Sequence, residues 1–154
     1  FNTVVAGTKD GSIIICSILY GSMVKVIELK KMIPKKVIIS PSWGFIVSYC
    51  QSIVLGSIKH FILVHSINGV LIRQVEIQFE VVEWTCTSER GFDHMLLLSS
   101  DETVYHCEVY FMEMHKIFRK RTPKTIAISY SYKSKCAIIT KESGDAFFVP
   151  LVLK

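Results

Sequence analysis

TKDGSIIICSI, residues Thr8–Ile18, places an Asp-Gly pair between two apolar segments, Thr3–Ala6 and Ser12–Cys16. Taken alone it predicts one hairpin. Whether it is the first member of a series decides the fold. Asp10-Gly11 and Asn68-Gly69 read as two-residue hairpin turns, a geometry in which both central positions take positive φ. Tyr20-Gly21-Ser22, Ser42-Trp43-Gly44 and Ser143-Gly144-Asp145 are weaker turn signals of the same kind.

Working outward, runs rich in β-branched and aromatic residues follow one another along the whole chain, about fourteen strands of five to seven residues. Tyr110–Lys120 (YFMEMHKIFRK) is the one passage whose spacing also admits a helix. Breaks like that at Asp10-Gly11 fall near Gly56, at Asp101-Glu102 and at Gly144-Asp145, about 45, 45 and 43 residues apart. Strands beginning at Lys36, Val81 and Thr125 keep a similar interval. Four short strands every 40 to 45 residues or so is the pattern of propeller blades. The expected architecture is all-β and WD-repeat-like, an incomplete propeller of about three and a half blades over roughly 1–29, 36–77, 81–119 and 125–154. Stacked sheets bury inner strands on both faces, which accounts for the unbroken apolar runs Ile13–Cys16 and Met95–Leu98. Such a chain is a piece of a longer ring, or half of an associating pair. A single β-sandwich or barrel is the competing architecture.

Half of the 154 residues are hydrophobic and the mean hydropathy is +0.39, which excludes disorder. No stretch reaches the roughly 18 uninterrupted apolar residues of a spanning helix. The five cysteines are odd in number, scattered, and set in or beside apolar runs, a distribution of reduced thiols serving as small core residues in a cytoplasmic setting. No signal peptide heads the chain, and Phe1 is not an initiator Met, so the native N-terminus is expected upstream. Net charge is +5, compatible with nucleic acid, anionic lipid or acidic protein and selecting none of them.

Three stretches, AGTKDGSIIICSILYGSMVKVIEL (Ala6–Leu29), VIISPSWGFIVSYC (Val37–Cys50) and FILVHSINGVLI (Phe61–Ile72), carry a family likeness. With the Lys9–Ser12 turn, the Ile39–Gly44 turn and the Ser66–Gly69 hairpin, Phe1–Ile77 resembles the C-terminal WD-repeat propeller of BEACH-domain proteins, the neurobeachin and lysosomal-trafficking-regulator family. The chain contains no BEACH module and no Trp-Asp or Gly-His dipeptide: Trp43 precedes Gly44 and Trp84 precedes Thr85. The resemblance implies a non-catalytic, cytoplasmic scaffold for protein partners in vesicle or endolysosomal traffic, peripheral at endomembranes.

Catalytic, metal and cofactor sites are not expected. His106 and Cys107 are adjacent in a strand and face opposite ways, and His60 and His65 are an odd number apart in one extended segment. Cys86, His94, His106 and Cys107 form the densest Cys/His group, without metal-ligand spacing. No phosphate-binding glycine loop occurs. Ser42–Tyr49 is similar to the aromatic strand of an RNA-recognition motif but lacks its basic-Gly lead, so blade packing is the better reading of Phe45 and Tyr49.

Basic residues are the more informative signal. Lys30, Lys31, Lys35 and Lys36 crowd one interblade link; Lys116, Arg119, Lys120, Arg121 and Lys124 crowd another. Links of this type emerge on one face of a propeller, so the two clusters are expected to share a surface suited to an acidic peptide or a phosphoinositide. Solvated loops enriched in lysine for solubility are the plainer explanation. A nucleic-acid-associated propeller using the same lysines is the alternative from another functional class, and self-association through open blade edges is expected.

Overall fold

The structure, a computed structural model, describes residues 2–119 and 124–153. Fourteen strands and no helix are present among them. The described part of the Tyr110–Lys120 passage accordingly forms not a helix but a turn followed by the strand His115–Arg119, and Lys120 lies outside the described residues.

The chain divides into two compact units, Phe1–Gln78 and Phe79–Lys154. In the first, β1 (Thr3–Gly7), β2 (Ser12–Ser17) and β3 (Ser22–Glu28) form a three-stranded sheet. There, too, β4 (Ile33–Ile39), β5 (Ile46–Val54), β6 (Ser57–His65) and β7 (Leu71–Ile77) form a four-stranded one. In the second, β8 (Val81–Glu89), β9 (Phe92–Ser99), β10 (Thr103–Glu108) and β11 (His115–Arg119) make four strands; β12 (Thr125–Ser131), β13 (Cys136–Lys141) and β14 (Ala146–Pro150) make three. Every sheet is an antiparallel meander in chain order. Within each unit the two sheets share a core: Ile13, Ile15 and Ile27 against Ile46, Cys50 and Leu63 in one, Leu96, Leu98 and Val104 against Ile128, Ala137 and Ile139 in the other.

The turns fix the phase of the repeat. β3, like β7 and β11, runs into the link that opens the next sheet. β1–β3 therefore match the second to fourth strands of a complete sheet, and β12–β14 the first to third. The 45-residue rhythm is the recurrence of the turn between second and third strands.

Two expectations are corrected. Thr8 N donates to Ser12 O (2.8 Å) and Gly11 N to Thr8 O (3.3 Å), and Ser66–Val70 repeats this pattern. Asp10-Gly11 and Asn68-Gly69 thus sit in three-residue loops in which only the glycine is left-handed (φ 94° and 79°). The two-residue turns with both φ positive are Leu55-Gly56 and Arg90-Gly91. The reason is hydrogen bonding: Thr8 Oγ1 accepts from Ser12 N and donates to Asp10, which closes the wider loop. Secondly, Met95–Leu98 are all buried, whereas in Ile13–Cys16 burial alternates, with Ile14 and Cys16 half-buried. Within its unit, the β1–β3 sheet is packed through the face carrying Ile13 and Ile15.

The opening strands of the second, third and fourth sheets, β4, β8 and β12, also carry a β-bulge near their start. Pairing skips a residue between Pro34 and Lys36, Val81 and Glu83, and Thr125 and Ala127. The residues skipped, Lys35, Val82 and Ile126, are all exposed. A bulge re-aims a side chain without ending the strand.

Candidate interaction surface

In the first unit, the β3–β4 link and the β5–β6 hairpin meet at one end of the β4–β7 sheet. Met32 N donates to Leu29 O (3.0 Å), and the hydroxyl of buried Ser52, on β5, donates to Lys31 O (2.8 Å). This ties the link to the hairpin and holds Lys31 left-handed (φ 60°). Lys30 and Lys31 are exposed in the link. Lys35 and Lys36, expected in that connection, belong to β4: Lys35 is turned out by the bulge, and Lys36 is half-buried opposite Tyr49.

A groove of about 460 Å³ opens here, lined by Lys31, Lys35, Asp10 and Gln51 and by the apolar Leu29, Met32, Ile33, Ile53 and Ile58. Ile53 and Ile58 are cross-strand partners, 75% and 59% exposed. On the same strand face, Gln51 Nε2 donates to the Tyr49 hydroxyl (3.2 Å), which bonds His60 Nδ1 (2.7 Å). That chain stiffens the hairpin base and leaves its tip to apolar groups. Lys59 pairs with Glu76 at 3.0 Å. Ile53, Leu55 and Ile58 escape sequence reasoning. Their signal is an apolar run carried through a turn, Ile53-Val54-Leu55-Gly56, where polar residues are usual.

The second basic cluster lies in the second unit. Arg119 closes β11, and Lys124 is exposed ahead of β12, its carbonyl accepting from Glu142 N (3.0 Å). Lys120 and Arg121 lie outside the described residues.

All five cysteines are free thiols. Burial pushes the Cys50 thiol up to about 11 and those of Cys86 and Cys107 to about 12, so none of these three is poised as a thiolate nucleophile. His94 Nδ1 and His106 Nε2 are 3.0 Å apart, and His106 is the cross-strand partner of His115. Burial, then the neighbouring charges of His94 and His115, lower His106 to about 4. Burial also lowers His94, against the opposing charges of Glu108, Glu89 and Asp93. Among the described residues no group of three or more His, Cys, Asp or Glu is arranged to hold a metal ion. Elsewhere in this unit buried Glu89 accepts from Lys135 Nζ (2.7 Å), and that bond, followed by the charge of Lys135, outweighs desolvation and lowers its carboxyl.

No family model and no curated protein matches the sequence. Solved structures do. The β-propeller domain of Myceliophteria thermophila Cps50 (Swd1) superposes with a TM-score of 0.74 at 10% identity, over 98% of this chain and 48% of that one. The fold is that of a β-propeller, incomplete. Two computationally designed proteins are also similar. Ika4 matches at TM-score 0.71 and 14% identity over 99% of this chain and 87% of its own; Ika8 matches at 0.66 and 14% over 96% and 42%. This propeller chain thus spans about half of the Swd1 chain. Among its described residues no helix is long and apolar enough to cross a membrane.

Proposed function

We propose that the chain is a stretch of a longer WD-repeat propeller, its four sheets being successive blades, and that it serves as a non-catalytic scaffold for protein partners. The observation that carries this reading is the recurrent bulge: three sheets in turn spend an unpaired residue to present Lys35, Val82 and Ile126 to solvent near an interblade link. Lys30, Lys31, Lys35 and Lys36 around the first link suit an anionic ligand, an acidic peptide or a phosphoinositide headgroup. The likeness of Phe1–Ile77 to BEACH-domain propellers supports a cytoplasmic place in vesicle or endolysosomal traffic, peripheral at endomembranes. In that setting Arg119, Lys120, Arg121 and Lys124 add a second basic lobe.

Affinity capture from cytosol with the full chain tests this reading. Trafficking proteins should be retained after nuclease treatment, and reversing Lys30 and Lys35 to Glu should reduce capture of acidic partners. Retention that vanishes with nuclease, and falls by orders of magnitude between low and moderate salt, would instead identify a nucleic-acid binder.

A further inference from the structure

The tip of the β5–β6 hairpin has two features that folding does not require. Leu55 is 101% exposed, and its φ of 51° lies in a region that Asn or Gly occupies readily and a bulky side chain does not. The comparable turn, Arg90-Gly91, puts a charged residue there, as a solvated turn would. One pair back from the turn, behind Val54 and Ser57, stand the exposed partners Ile53 and Ile58, and Lys31 and Lys35 border the groove those two help to line. The acidic lining residue, Asp10, accepts a hydrogen bond from Thr8 Oγ1.

We propose that this hairpin docks the protein on an anionic lipid bilayer. Leu55 enters the boundary between headgroups and acyl chains, with Ile53 and Ile58 behind it, while Lys31 and Lys35 meet lipid phosphates. A bilayer accepts a narrow apolar projection without a shaped pocket, and it supplies the negative charge that the flanking lysines match. A folded partner would have to offer a cleft for a tip only two residues wide. The proposal deepens the anionic-ligand reading of the β3–β4 surface and rests on it.

The test is cosedimentation of the full 154-residue chain with vesicles of phosphatidylcholine alone or with added phosphatidylserine, beside a binding assay with an acidic peptide. Binding should require phosphatidylserine and weaken as salt rises. Lys31→Gln and Lys35→Gln should each lower partitioning roughly fivefold. Leu55→Asn keeps the left-handed turn, so its melting temperature should equal or exceed that of the parent, while vesicle binding falls roughly tenfold or more. Failure to bind anionic vesicles overturns the proposal, and so does binding that Leu55→Asn leaves unchanged. Binding of the acidic peptide without the vesicles would keep the anionic-ligand reading and overturn the membrane one. A dimer that Leu55→Asn dissociates would make a second copy the occupant and overturn it too.

Discussion

Gly11 has a φ of +94°, and a Cβ built there would lie 2.7 Å from the Met32 carbonyl oxygen. Gly56 has a similar φ of +79° but nothing within 4 Å. The pair separates conformational strain from close packing. Gly56→Ala should cost about 1 kcal/mol, the penalty of left-handed backbone. Gly11→Ala should cost about 1 kcal/mol more, because backbone cannot yield as a flexible side chain can. Urea midpoints at matched m-values would measure both; equal losses would show that the β3–β4 link gives way. At this scale the sequence exposed the turn but not its type. Asp10-Gly11 marks a hairpin by composition, while the extra loop residue depends on the bonds that the Thr8 hydroxyl donates to Asp10 and accepts from Ser12 N, which no dipeptide encodes.

Among the elements, β9 and β10 bring two histidines together, while burial also lowers His65 on β6. His94 is buried on β9, and His106 on β10 faces both it and His115 of β11, with Glu108, Glu89 and Asp93 nearby. Both His94 and His106 titrate below the ordinary value of 6.5 in the fold, so the unfolded chain binds more protons at mildly acid pH. Their effect is absent above about pH 6.5 and destabilises progressively as pH falls toward about 4. Glu89, held low by Lys135, loses its contribution in the same direction as it protonates. Thermal melts between pH 7 and 4 should show falling stability, and His106→Gln should flatten the slope; an unchanged slope would place the acid sensitivity elsewhere. Strand existence was legible at this scale, because β-branched runs between turn residues leave few alternatives. The bulges at Lys35, Val82 and Ile126 were not, since they depend on pairing register with the next strand.

For the molecule, sheets that begin or end short leave strand edges without partners. Among the described residues, β1 lacks a neighbour on the side where β4 stands against β5 and β8 against β9, and β14 lacks one where β7 and β11 complete their sheets. Unpaired edges recruit further strands. The isolated chain should therefore self-associate at micromolar concentration in sedimentation velocity; a clean monomer at tens of micromolar would count against an open ring. The sequence by itself determined the all-β class, the 45-residue period and the apolar strands, because each is a local or periodic property written in neighbouring residues. It also gathered Lys30, Lys31, Lys35 and Lys36 into one stretch. Only the tertiary structure decided which of these lysines reach a common groove and that Ile53 and Ile58 join them, with Leu55 at the tip of their hairpin. Those residues lie some twenty positions away in sequence, and what brings them together is strand pairing and the bond from Ser52 to the Lys31 carbonyl.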